Sequence, residues 1–515
     1  MTVETINVPV RPVTDLGLWR RTWWRAVLTP LIVLTPLVSL APTADHRFNL
    51  YWHGGMFRDN PFGIVTHTVS TLDTYLRLGN FRPLGRILEK SLDLLAYTIS
   101  DLSGVPVNVS FRLVSFLAAA LLSVSATLFA ESVTTRGRLF AGPPSKLAAA
   151  VPFAVGGSFV AAGGSSPAVL FGGLYFTSAA LVFATAAAVC RVTPEVVAPS
   201  GIRRPDTRFG YHFAGLVVGG GLLACVNEIA YLALPFATAA VLIRDRLRPG
   251  RRPLAVLGAL WLGFLPVFVT VRVVIHGFCA DGGCYRLSDI TLGPAVLTTI
   301  PVRATAWAPP LMWESAIHGS RGSWLGVVPV LALVALALLA WQAWRDLPLL
   351  SMVDRRALVT LGLAAAALVL LGATLAALNA EIQQHAGPWG SGWRDTAVTA
   401  AAGALLLVAA GQLLSRRTLL MVLILCLAAT VTTAANKRFA DHAAAAPRAM
   451  LADRIAQEMA AFDPSPEGDA RRCALRDEFR AQYAGAEFSL RRFDQSLDVA
   501  ARQLAGRPFC AGAAR

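Results

Sequence analysis

Charge is scarce in this chain: only 15% of its 515 residues are Asp, Glu, Lys or Arg, and these gather in short clusters between long apolar runs. Other chemistry-bearing signatures are missing as well. There is no glycine-rich nucleotide-phosphate loop, no Ser-His-Asp arrangement with a local signature, and no haem or iron–sulfur spacing, so those chemistries have no sequence basis. No internal repeat stands out, which weighs against a transporter assembled from inverted repeats. No cleavable signal peptide is evident. Met1 to Gly17 is polar, and "WRRTWWR" precedes the first apolar run, as in a signal anchor with Trp19, Trp23 and Trp24 at the interface.

What remains is grease: 55% of the residues are hydrophobic, the composition of an all-α polytopic membrane protein. Bilayer hydrocarbon about 30 Å thick asks for roughly 20 apolar residues per helix. Runs of that kind fall near 22–41, 110–130, 147–162, 168–190, 210–226, 229–243, 254–275, 323–344, 356–378, 396–414 and 418–435, which predicts about eleven transmembrane helices. The net charge of +15 does not point to nucleic acid. Its basic clusters, from Arg20, Arg21 and Arg25 to Arg416 and Arg417, occupy alternate short loops and all fall on one side if the amino terminus is cytoplasmic. The expected location is the cytoplasmic membrane, with the carboxyl terminus extracytoplasmic.

That topology predicts a transmembrane domain over 1–435, with a long external loop at 42–109, and an extracytoplasmic helical tail over 436–515. Cys279 and Cys284 share one external segment, and Cys473 and Cys510 share the tail, so two disulfides are expected; a metal site at Cys279 and Cys284 lacks a second ligand pair. In the first loop Leu84, Ile87, Leu88, Leu92, Leu95 and Ile99 recur at helical spacing opposite Arg86, Glu89, Lys90, Asp93 and Asp101. This pattern predicts a helix lying flat in the headgroup region or capping the bundle. Two apolar runs meet at Asn227 and Glu228 with almost no loop, after the glycines Gly219 to Gly221; a glutamate drawn into the bundle there is a functional candidate.

Four stretches together resemble the GT-C superfamily of polytopic glycosyltransferases, in particular its O-antigen glucosyltransferase-like members. They are the single span followed by the long first loop, "LGNFRPLGRILEK" (Leu78 to Lys90), "CVNEIAYLALPFATAAVLI" (Cys225 to Ile243) and "GPWGSGWRDTAV" (Gly387 to Val398). The resemblance implies a GT-C-like fold and transfer of a sugar from a polyprenyl-phosphate donor to an envelope glycan or glycolipid acceptor on the outer membrane face. It also implies a catalytic acidic residue in the first loop.

Such a transfer needs a base for the acceptor hydroxyl and cations for the departing phosphate. Asp45 and Asp59 are the candidate bases in the first loop, where both also read as ordinary turn or capping residues. Arg82 and Arg86, spaced i, i+4, and Arg394 are the candidate donor-phosphate ligands, Asp395 being placed to neutralise Arg394. His53, Glu228 and Trp393 are further candidate site residues, and Arg272 reads as a side chain snorkelling outward. No cofactor is fixed by the pattern; a divalent metal held by His46 and His53 with Asp45 is the alternative, a loop histidine being more often unliganded. A transporter or flippase using Glu228, and a non-catalytic envelope scaffold binding partners through its tail, are the rival readings.

Overall fold

The computed structural model describes residues 15–43, 45–193, 209–280, 284, 290–320, 326–384, 389–415 and 417–514. Arg203, Arg204, Arg208 and Arg416 of the basic clusters lie outside the described residues. All regular structure among the described residues is helical, apart from two isolated bridges, Ser145 to Ser351 and Ile290 to Asn379.

Helix α1 (Asp15–Leu34) leads into a first loop built from α2 (His46–Phe57), α3 (Gly63–Ser70), α4 (Leu72–Arg77) and α5 (Pro83–Ser103). The main body follows as α6 (Val107–Thr134), α7 (Val151–Gly157), α8 (Gly172–Val192), α9 (Phe209–Leu223), α10 (Ala233–Arg244), α11 (Arg251–Cys279), α12 (Pro294–Thr305), α13 (Pro309–Ile317), α14 (Val327–Asp346), α15 (Arg355–Ala377), α16 (Ala380–Gln384), α17 (Thr396–Leu414) and α18 (Thr418–Ala444). Among the described residues seven helices, α6, α8, α11, α14, α15, α17 and α18, are long and apolar enough to cross a membrane. The run at 147–162, expected as a span, is α-helical only over the seven residues of α7, too few to bridge the hydrocarbon as a helix. Helices α9 and α10 are apolar but short.

Helix α6 lies along α8, α15 along α17, α9 along α11 and α14 along α18, around one large apolar core. Of the three consecutive glycines in α9, it is Gly220 that meets a neighbouring backbone: any side chain there would collide with the carbonyl of Leu260 on α11. Arg112, fully buried, donates to the carbonyls of Leu40, Ala41, Ala168 and Val169 and so ties the end of the first run to the approach to α8.

The expected boundary at 435 falls inside α18, which runs on to Ala444. The appendage beyond it consists of α19 (Pro447–Ala460), α20 (Pro466–Gln482) and α21 (Glu487–Ala505). Helix α20 starts where its sequence says it should, with the Ser465 hydroxyl accepting from Gly468 N–H at 3.1 Å and Pro466 in the first turn. The Cys473–Cys510 disulfide closes the appendage. It shares a second apolar core with the first loop and the start of α6: Phe48, Tyr51 and Tyr97 of the loop and Phe111 of α6 pack with Leu451, Phe479, Phe493 and Leu497.

Helix α5 has the ends its sequence announces, Pro83 in the first turn and Gly104 in the left-handed conformation (φ 69°) just past the last. Glu89, Lys90 and Asp93 are buried against the protein, while Leu95 and Leu102 are 46% and 74% exposed. Leu88 and Leu92 pack against the two apolar cores, so the helix buries Glu89, Lys90 and Asp93 while leaving Leu95 and Leu102 uncovered.

Candidate functional site

A cleft of ≈ 210 Å³ is lined by residues of α8, the turn between α9 and α10, α11, α15 and the segment before α17. Glu228 supplies its acid. The turn that carries it is held from two sides. Buried Asn227 donates to Ser178 Oγ at 2.7 Å and accepts from Ala230 N–H at 3.0 Å, and Leu84 N–H at the start of α5 donates to the Cys225 carbonyl at 2.9 Å.

Three guanidiniums face this carboxylate. Arg82 Nη1 reaches to 3.9 Å of it from the first residue before α5. Arg272 of α11 stacks beside Tyr231 and Phe268, 5.7 and 5.5 Å from the ring centres, and its buried Nε has no hydrogen-bond partner among the described residues. Arg394 stacks over Tyr175 and Trp393 at 5.6 and 5.2 Å. Aromatic faces hold the guanidinium planes of Arg272 and Arg394 in place. Burial by itself pushes the Glu228 carboxyl up, but the charges of Arg82, Arg394 and Arg272 outweigh it and hold the group below the ordinary carboxylate value. Ile290, Leu375, Ala376 and Leu378 contribute an apolar lining to the same cleft. The cleft therefore offers an ionised carboxylate, a cluster of cations and a greasy flank, which suits an amphiphile with an anionic head.

Of the residues marked out in the sequence, Glu228, Trp393 and Arg394 line the cleft and Arg82 joins them. Arg86 does not line it; its Nη1 donates to Glu89 at 3.1 Å and its guanidinium lies 4.2 Å from the Tyr75 ring centre. Asp395 lines the cleft, and its two carboxylate oxygens accept from buried Arg303 of α12, at 2.5 and 3.2 Å. Arg272, expected to snorkel outward, is drawn inward by its two rings. Asp45 and Asp59 are exposed residues at the two ends of α2 and neither lines the cleft. Asp45 precedes the first helical turn, and Asp59 accepts only a long 3.4 Å bond from Gln503 among the described contacts.

His53 belongs to a second polar cluster, under the first loop. Its Nδ1 and that of His46, two turns apart on α2, lie 2.8 and 3.1 Å from the two carboxylate oxygens of Asp93 on α5. Burial pushes Asp93 up, yet the two histidines more than compensate and keep it below its usual range. Glu89 is likewise lowered against the effect of burial, by Arg86 and Arg82. Lys90, pushed down to about 8 chiefly by burial, donates to His67 Nδ1 at 2.9 Å and Thr68 Oγ1 at 3.0 Å. Among the described residues no group of three His, Cys, Asp or Glu side chains is arranged to hold a metal ion.

Sequence reading missed Glu89 and Asp93 as interior groups because their side of α5 is the polar one, and it missed Arg303 because nothing local marks its partner. The two expected cysteine pairs are formed, with Cα separations of 5.4 Å for Cys279–Cys284 and 4.9 Å for Cys473–Cys510. Comparison of the chain with models of protein families, with curated proteins and with solved structures returns no match.

Proposed function

We propose that this chain is a GT-C-like membrane glycosyltransferase that moves a sugar from a polyprenyl-phosphate donor to an extracytoplasmic envelope glycan or glycolipid. The observation that carries the reading is one ionised carboxylate, Glu228, ringed by Arg82, Arg272 and Arg394 beside an apolar wall. In this reading the wall takes the first isoprene units and the guanidiniums hold the phosphate. Glu228 accepts the proton of the acceptor hydroxyl as its oxygen bonds to the anomeric carbon; the bond from that carbon to the phosphate oxygen breaks, and the pair leaves on the phosphate. One displacement inverts the anomeric centre. The role that the sequence resemblance gives to Asp45 or Asp59 passes here to Glu228, because a base must stand within reach of the phosphate-binding cations.

The reading keeps the topology predicted from charge: a cytoplasmic amino terminus, about eleven spans counting the short ones, and the first loop and appendage outside. Its test is turnover. Purified protein in nanodiscs, given a panel of short-chain polyprenyl-phosphate pentoses and hexoses with envelope glycolipid extract, is expected to release polyprenyl phosphate, and Glu228→Gln to abolish release.

One observation favours a second reading. Glu228 sits between α9 and α10, of 15 and 12 residues, a broken pair of the sort that transporters place around a mid-membrane site. A flippase predicts movement of an intact lipid-linked sugar across proteoliposomes, lost in Glu228→Gln, with no cleavage of the phosphate–sugar bond.

A further inference from the structure

The residues lining the cleft all precede the appendage, yet a chain of contacts joins the two. Helix α21 lies along α2 so closely that any side chain at Gly55 would collide with its backbone at Ala500, and the Tyr97 hydroxyl of α5 contacts the Ala500 carbonyl and Gln503 on the same stretch. About two turns from this seat, Arg492 of α21 stacks 4.6 Å from the centre of the Phe48 ring and its Nη2 donates to Asn49 Oδ1 at 3.0 Å. The buried Asn49 amide then donates through Nδ2 to Glu89 Oε1 at 3.5 Å. Glu89 accepts from Arg86 through its other oxygen and also bears the charge of Arg82. Arg82 stands 3.9 Å from Glu228. The start of α5 is fastened to the Glu228 turn by the Leu84–Cys225 backbone bond and by Gly85, where any side chain would collide with the carbonyl of Val226.

We infer that Arg492 is a positioning residue for the Arg82–Glu228 pair, so that the appendage is a working part of the cleft rather than a neighbour of it. The mechanism is a matter of amide orientation. An asparagine has an acceptor end and a donor end, and a guanidinium fixed on the acceptor end leaves the donor end pointing at Glu89. Remove the guanidinium and the amide can turn, which takes a donor away from Glu89. A carboxylate left short of donors in a buried site draws harder on the cations it retains, Arg82 among them, and pulls Arg82 away from Glu228. A shift there moves both the base and one of the cations proposed to hold the donor phosphate.

This inference rests on the cleft being the working site, so its test includes a measurement that needs no ligand. Hydrogen exchange at Leu84 and along the first turns of α5 is followed in full-length protein in nanodiscs, for the native chain and for Arg492→Ala, Arg492→Lys and Asn49→Ala. Arg454→Ala, which removes only an exposed ion pair with Glu478 elsewhere on the appendage, is the control. Arg492→Ala and Asn49→Ala are expected to raise exchange at Leu84 by about fivefold or more, with the two effects non-additive in the double variant. Arg492→Lys should fall between, and the control should match the native chain. The affinity for dodecyl phosphate is expected to fall in the same order. Asn49→Ala leaves the apolar seat of α21 intact, so native exchange at Leu84 in that variant overturns the inference even if Arg492→Ala loosens the appendage; additive effects in the double variant overturn it as well. A native chain that does not bind dodecyl phosphate removes the functional reading and leaves the exchange measurement to decide this one.

Discussion

Arg303 and Asp395 form a buried two-point pair, with Arg303 Nη2 and Nε at 2.5 and 3.2 Å from the two carboxylate oxygens, and a third donor of the same guanidinium on the Ser391 carbonyl at 2.9 Å. The segment that presents Trp393 and Arg394 to the cleft is thereby clamped to α12, almost a hundred residues earlier in the chain. A fork of this kind sets position as well as charge, and lysine cannot reproduce it.

Breaking the pair from one side leaves a buried charge behind. Arg303→Met is expected to destabilise the protein by about 3–5 kcal/mol, whereas Arg303→Met combined with Asp395→Leu should recover most of that loss. Thermal unfolding in detergent measures both. Equal destabilisation by the single and double variants would show that the pair is not the source.

The base assignment predicts a loss of rate without a loss of binding. Glu228→Gln keeps the size of the side chain and should lower turnover by about 10²–10⁴-fold, while donor affinity changes little. Because Arg82, Arg394 and Arg272 hold the carboxyl below its usual value against the upward push of burial, Glu228 stays ionised as pH falls to its ordinary range near ~4.3. The rate should therefore show no acid limb from this group between about pH 5 and 8, and should fall only as pH drops through the depressed value. Asp45→Asn and Asp59→Asn, both at exposed positions, should leave rate and stability near native.

Arg272→Gln should act in the opposite way to Glu228→Gln, weakening binding of dodecyl phosphate by about tenfold or more, since a hydrogen bond to a charged group contributes roughly 1.5–3 kcal/mol. Arg86→Gln lies outside the cleft lining and should weaken it less. Isothermal titration in nanodiscs compares the two, and the reverse order would displace the phosphate site from the cleft.

The Asp93 cluster predicts a pH dependence of stability. Burial raises its carboxyl and the two histidines lower it further than burial raises it, so its folded value lies below its unfolded one. The stabilisation is complete above the unfolded value near ~3.9 and is lost as pH falls through the folded value. Asp93→Asn should cost about 1–3 kcal/mol at neutral pH, because an amide cannot accept from both ring N–H groups through two oxygens. Melting temperatures of Asp93→Asn should run below the native curve by a near-constant interval from about pH 7 to 4, and converge on it only as pH falls through the depressed folded value.

Much of this arrangement was legible in the residues. Apolar length marked the long helices, because a membrane-crossing helix needs only a sufficient run of grease. Glu228 stood out since ionisable groups between apolar runs are rare, and the two cysteine pairs followed from sharing a segment. The orientation of α5 was half legible. Its periodicity gave an amphipathic helix, but a pattern does not say whether lipid or protein covers the leucines, and here the charged side of Glu89 and Asp93 faces in. Pairings across the chain were not legible: Arg303 with Asp395 and Arg492 with Asn49 join distant segments, and a lone arginine carries no mark of its partner. Arg272 was misjudged for the same reason, since only folding brings Tyr231 beside it.

The claim that a lipid-borne phosphate occupies the Glu228 cleft is tested most directly by photolabelling. A polyprenyl phosphate carrying a diazirine on its first isoprene unit is irradiated with the nanodisc-embedded protein and the labelled peptides are mapped by mass spectrometry. The expected label falls on the apolar wall, Ile290 and Leu375 to Leu378, is suppressed by excess unlabelled polyprenyl phosphate and not by the neutral polyprenol, and is lost in Arg272→Gln. Label spread over the outer faces of the helices, or suppressed equally by the alcohol, would contradict it.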